Sequence, residues 1–203
     1  VSTDIRSRTQ YNDQLFQRVR LDAVELISSP FHGCIFKDCS LVESVLRGCR
    51  FVNCTFRGCN LGLVAVPDST FASTRFEDSQ VIGIDWTRAD WSTGRLPHPL
   101  AFSRCALNHS TFIGLELPGI EITSCIAIDV DFREADLSGA DFTDTDLADS
   151  LFSHTNLTGA DLGRARNYRI NAEQNIIKGA RFSLPEAMSL LYSLDIILDD
   201  DQG

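Results

Sequence analysis

The stretch FHGCIFKDCSLVESVLRGCRFVNCTFRGCNL, residues 31–61, carries a large apolar side chain at every fifth position: Phe31, Phe36, Leu41, Leu46, Phe51, Phe56 and Leu61. Two residues before most of these stands a small one, Cys34, Cys39, Ser44, Cys49, Cys54 and Cys59. Stepping outward, the same period starts at Phe16 and holds through Leu21, Leu26, Val66, Phe71, Phe76, Val81 and Trp86 to Trp91. A second series runs from Phe102 through Leu107, Phe112, Leu117, Ile122, Ala127, Phe132, Leu137, Phe142, Leu147, Phe152 and Leu157 to Leu162. All 13 phenylalanines, Phe182 included, fall on this lattice, and all 7 cysteines fall on the small slot, so the pattern is not a by-product of the 43% apolar composition.

Two inward residues spaced by two are local strand geometry, and repeating them every five requires a bend after each short segment. An amphipathic helix would need spacings of three and four. The chain therefore winds around its own core, and the narrow interior leaves room for little beside one ring or leucine per face.

Ala135-Asp136-Leu137-Ser138-Gly139, Ala140-Asp141-Phe142-Thr143-Asp144 and Ala160-Asp161-Leu162 resemble pentapeptide repeats of the form A(D/N)Lxx. The resemblance covers about residues 16 to 182. It implies an all-β solenoid, a right-handed quadrilateral β-helix of pentapeptide repeats with four pentads per coil and a short C-terminal helix. Residues 20 apart would then stack: Phe36, Phe56 and Phe76 in one ladder, Phe31, Phe51, Phe71 and Trp91 in another, and Phe112, Phe132 and Phe152 in a third. The organisation expected is a lead-in over 1–15, the β-helix over 16–182 with a loop at 92–100, and a C-terminal helix and strand over 183–203.

Eleven residues separate Trp91 from Phe102, one more than two pentads, so the lattice slips by one position. Gly94, Pro97 and Pro99 mark the stretch as a surface loop. Two readings stand for it: a harmless insertion, or, on the resemblance to gyrase-protecting members of the family, a protective loop formed by Ser92, Thr93, Gly94, Arg95, Leu96, Pro97, His98 and Pro99. The lattice forces only this one insertion, whereas quinolone-resistance members often carry two. After Leu162 the period weakens over Asn167 to Ile177 and then changes. Ser183 is placed to cap a helix over 184–194, with Pro185 in its first turn and Glu186 at its positive end. As structure this is a lid over the last coil. The resemblance to quinolone- and albicidin-resistance proteins implies a tail-to-tail homodimer instead, with Leu184, Met188, Leu191, Leu194 and Ile196 at its interface.

The 203 residues carry 28 acidic and 18 basic side chains, a formal charge of -10. Residues 1 to 101 hold 11 acids and 11 bases, while residues 102 to 203 hold 17 acids against 7 bases. Between Asp129 and Asp161 lie nine acids, Asp129, Asp131, Glu134, Asp136, Asp141, Asp144, Asp146, Asp149 and Asp161, with Arg133 as the single base. This balance argues against direct nucleic acid binding, which draws on clustered Lys and Arg, and favours a partner that itself grips a polyanion. Acidity of this kind also serves simple solubility.

No catalytic constellation is present. There is no G-x-S-x-G, P-loop or dinucleotide fingerprint, and His32, His98, His109 and His154 lie outside zinc spacings. No cofactor or metal is expected, and the cysteines read as buried free thiols. No apolar run approaches a membrane span, and VSTDIRSRTQYND lacks the apolar block of an export signal, so a cytoplasmic protein that is not an enzyme is expected. The resemblance implies a DNA-mimicking protein whose acidic band meets DNA gyrase or topoisomerase IV, protecting it from a fluoroquinolone, albicidin or microcin. The alternative is a scaffold solenoid with another protein partner.

Overall fold

The computed structural model describes residues 4–92 and 100–194. Its strands are two or three residues long, because a chain that turns four corners per coil has no room for more. They are β1 (Tyr11–Asn12), β2 (Leu15–Gln17), β3 (Glu25–Ile27), β4 (Pro30–His32), β5 (Ile35–Lys37), β6 (Val45–Arg47), β7 (Arg50–Val52) and β8 (Thr55–Arg57). There follow β9 (Thr70–Ala72), β10 (Arg75–Glu77), β11 (Ala101–Ser103), β12 (Glu121–Thr123), β13 (Asp161–Leu162), β14 (Arg181–Phe182) and the helix α1 (Met188–Tyr192).

All strand pairs are parallel, and before the insertion each residue meets the one 20 further on, as in Phe16 with Phe36 and Phe36 with Phe56. Four ladders result, one per side of a right-handed quadrilateral β-helix. One ladder steps from Phe16 through Phe36, Phe56, Phe76, Phe102 and Ile122, continues by bridges at Glu121, Asp141 and Asp161, and ends at Phe182. Eight rises of about 4.8 Å make a rod of about 40 Å.

The rings stack as the period requires. The Phe36 ring centroid lies 4.4 Å from that of Phe56, and Phe56 lies 5.0 Å from Phe76, the ring planes nearly parallel in both pairs. Across the insertion Phe76 pairs with Phe102, Gln80 with Ala106 and Asp85 with Thr111. The slip is thus not one residue in a two-pentad stretch. A single pentad step is followed by six extra residues, making one coil 26 residues long. This insertion also ends one expected ladder. Phe71 meets Trp86 edge-on at 5.2 Å instead of stacking on Trp91, whose indole N–H donates to the Trp86 carbonyl at 2.8 Å. Trp86 in turn stacks on Phe112, so the third ladder begins one coil earlier than the phenylalanines alone suggest.

The small slot carries a second duty beyond fitting the interior. Its side chains bond the corner of the preceding coil: Thr145 Oγ1 donates to the Ile122 carbonyl at 2.6 Å and accepts from the Cys125 amide at 3.2 Å. Ser150 does the same with Ala127 and Val130, Ser69 with Leu46 and Cys49, and Asn175 with Phe152 and Thr155. Backbone groups at a buried corner have no water, so a polar atom here removes a desolvation cost. Most corners also hold a residue with positive φ. At Gly58 (φ 62°) a Cβ would lie 2.8 Å from the Asp38 carboxylate, so glycine fits that corner best.

Both ends differ from the sequence reading. Tyr11 is a strand residue, buried and stacked on Phe31 at 5.0 Å, so the solenoid starts within the stretch read as a lead-in. At the other end the helix covers only Met188–Tyr192, and its cap is Ala187. Ser183 does not cap it, because its hydroxyl accepts the Arg164 amide at 2.8 Å from the coil beside it. Tyr168 and Ile170, in the stretch where the lattice weakens, are buried and fill the space under the lid.

Candidate partner-binding surfaces

The acidic band wraps the rod instead of lining one side. Asp131, Asp136, Asp141 and Asp146 belong to four different ladders, bridged to Thr111, Glu116, Glu121 and Ile126 respectively. Each of the four sides therefore presents a carboxylate within the single turn from Asp131 to Asp146.

The nine acids divide by their position in the pentad. Asp131, Asp136, Asp141, Asp146 and Asp161 precede the inward residue, and each carboxylate accepts the amide two residues on: Arg133, Ser138, Thr143, Ala148 and Gly163. The aspartate of the repeat is thus a turn-closing residue as well as a charge. Asp129, Glu134, Asp144 and Asp149 occupy corners with positive φ.

Arginines hold four of the nine. Arg133 pairs with Asp131, Arg164 with Asp144, Arg166 with Asp146 and Arg181 with Asp161, the last three across one coil. The bond from Arg133 pulls the Asp131 carboxyl below its ordinary range, and that from Arg164 does the same to Asp144. Asp129 contacts His109 Nδ1 at 2.8 Å. Among the described residues Glu134, Asp136, Asp141 and Asp149 have no ion-pair partner, although Asp136 accepts from the Asn156 side chain at 3.0 Å. Five of the nine acids thus have no arginine partner over about 1.6 coils, about 8 Å, against roughly 5 charges on the same length of duplex DNA.

Apolar surface gathers beside this band. Leu184 is 76% and Tyr192 67% exposed, with Met188 and Leu194 also open to solvent. Leu190 turns the other way and packs on the last coil, while Leu191 is half-buried. Ile196 lies outside the described residues, as do Thr93 to Pro99 of the loop; Ser92 is described and caps back onto Asp90, its amide donating to the carboxylate at 2.9 Å.

Among the described residues no group of three or more His, Cys, Asp and Glu side chains is placed to hold a metal, and no helix is long and apolar enough to cross a membrane. All seven cysteines are buried free thiols.

A family model described as a pentapeptide repeat region matches residues 29–98, and one described as pentapeptide repeats in eight copies matches residues 131–166. No curated protein matches the sequence. Among solved structures, a trypsin-treated variant of QnrB1, a plasmid-mediated fluoroquinolone resistance protein, superposes with TM-score 0.63 at 17% identity, covering 98% of this chain and 96% of that one. Full-length QnrB1 gives TM-score 0.54 at 16% identity, covering 93% and 98%. HetL, a pentapeptide repeat protein involved in heterocyst differentiation regulation in the cyanobacterium Nostoc, gives TM-score 0.48 at 13% identity, covering 87% and 86%. Likeness at these identities is likeness of fold.

Proposed function

We propose, for a chain that belongs to the pentapeptide-repeat family, a binding role without catalysis. The rod occupies the DNA-binding groove of a bacterial type II topoisomerase, DNA gyrase or topoisomerase IV, and protects that enzyme from an inhibitor or toxin of the fluoroquinolone, albicidin or microcin kind. The observation that carries this reading is the placement of charge: the first 101 residues sum to zero, and the whole excess of acid lies in the second half, next to the exposed apolar end. The fold shared with a fluoroquinolone resistance protein supports it. If Leu184, Met188, Leu191, Leu194 and Ile196 join two copies, the belts meet at the centre of a rod of about 80 Å.

The acids that serve this role are those left free, Glu134, Asp136, Asp141 and Asp149. Asparagine keeps the turn-closing oxygen of Asp136 and Asp141 while removing the charge, so the fold survives the test. In a gyrase supercoiling assay with drug, the parent chain protects activity and lowers drug-stimulated DNA cleavage, and Glu134→Gln/Asp136→Asn/Asp141→Asn/Asp149→Asn loses both effects. A parent chain that alters neither supercoiling nor cleavage overturns the proposal.

One observation favours a second reading, a scaffold for a different protein. Four acids are already satisfied by arginines of this same chain, an arrangement that a self-contained solenoid also uses. A scaffold keeps its partner in the neutralised variant.

A further inference from the structure

Six of the seven cysteines stand in pairs one coil apart in the same inward column: Cys34 with Cys54, Cys39 with Cys59, and Cys105 with Cys125. Cys49 does not, because its column neighbours are Ser29 and Ser69. Backbone bonds from Thr55 N to Cys34 O (3.0 Å), Asn60 N to Cys39 O (2.9 Å) and Ile126 N to Cys105 O (2.9 Å) hold each pair at adjacent-strand spacing. That spacing, about 4.8 Å between Cα atoms, lies inside the range a disulfide spans. Both side chains of a pair are buried in the core, where each thiol donates to backbone carbonyls, as Cys39 does to Phe16 O and Cys59 to Phe36 O. Cys125 Sγ also sits 3.3 Å from the Cys105 amide.

We propose that these three pairs are oxidation sites, each closing to a disulfide between successive coils in the presence of hydrogen peroxide, while Cys49 stays a thiol. In the first step the thiolate of one cysteine attacks a peroxide oxygen. The O–O bond breaks, leaving a sulfenic acid and hydroxide. The neighbouring thiol then attacks that sulfur, the S–S bond forms, and the sulfenic oxygen leaves as water with the displaced protons. Two thiols and one peroxide thus give one disulfide and two waters. Closure draws the two Cβ atoms inward from the coil spacing, a local pinch at one corner. Peroxide is close to water in size and enters when the coils open locally.

The two members of a pair are not equivalent. A bond from the Cys59 thiol brings Cys39 down to about 7, and the Cys125 thiol lowers Cys105 in the same way. In the third pair burial raises both thiols, Cys54 to about 12, so it closes last.

The test treats the native chain with increasing peroxide, quenches, unfolds, alkylates and maps the peptides. Oxidation of Met188, the single methionine and an exposed one, calibrates the dose. The expected end state has three disulfides with the stated partners and one alkylated cysteine, Cys49. Cys59→Ser is tolerated, since Ser79 fills that slot one coil on, and it removes one disulfide while leaving Cys39 unpaired. Seven alkylatable thiols at a dose that has consumed Met188, or any disulfide that includes Cys49, overturns the proposal.

Discussion

Arg164 closes on Asp144 of the coil before it through two bonds, Nε to Oδ1 at 2.6 Å and Nη2 to Oδ2 at 2.7 Å. The pair shows how a charge count along a chain departs from the charge on a surface. The acidic stretch ends at Asp161, three residues short of Arg164, yet the solenoid folds Arg164, Arg166 and Arg181 back onto it.

Removing these arginines therefore unmasks charge. Arg164→Gln/Arg166→Gln/Arg181→Gln makes the belt more negative by three while the fold holds, because solvent-exposed ion pairs contribute little to stability. Under the DNA-mimic account, affinity for a topoisomerase groove rises and its salt dependence steepens. Titrations at several salt concentrations check this, and a scaffold shows neither change.

The same bonds set an acid limit. Arg133 and Arg164 hold Asp131 and Asp144 below the unfolded carboxylate value of about 3.9. A depressed folded pKa contributes stability that is complete above the unfolded value and is lost as pH falls through the folded one. Urea midpoints measured from pH 6 to pH 2 should fall on the acid side, and the fall should shrink in Arg133→Gln/Arg164→Gln.

Thr145 is the corner bond with both halves in view. Thr145→Val keeps the shape and removes the hydroxyl that joins Ile122 O to Cys125 N. Two buried backbone groups are left unpaired, a loss of about 1–3 kcal/mol. Thr145→Ser keeps the bonds and stays within about 1 kcal/mol of the parent in urea unfolding.

Tyr168 tests the region under the lid from the opposite side. Among the described residues its buried hydroxyl has no hydrogen-bond partner, and burial, with Glu186 adding to it, pushes the phenol up to about 12. A raised folded pKa means stability present below about pH 10 and lost as pH climbs through 12. Tyr168→Phe removes an unsatisfied group, so it is neutral or stabilising by about 1 kcal/mol at pH 7 and loses less stability at alkaline pH.

The solenoid was legible because one five-residue rule sets the inward face: Phe16 to Phe76 and Phe102 to Phe152 are buried where the period puts them. The turn bonds of Asp136 and Asp141, the corner bonds of Thr145 and Ser150, and the clasp of Arg164 were not. They join a carboxylate to an amide two residues on or a side chain to a coil about 20 residues away, and no apolar period records either relation. The 26-residue coil was misread for a related reason. Spacing gives only the sum of a pentad and an insertion, whereas the pairing of Phe76 with Phe102 separates them. Tyr11 was missed because the period was counted from Phe16, although one step back reaches it.

The central claim, that this rod competes with duplex for a topoisomerase groove, is tested most directly by displacement. Labelled duplex bound to purified gyrase is titrated with the chain while fluorescence anisotropy is followed. The account predicts that anisotropy falls to the value of free duplex, at lower concentration for Arg164→Gln/Arg166→Gln/Arg181→Gln than for the parent. Duplex that stays bound at saturating chain contradicts it.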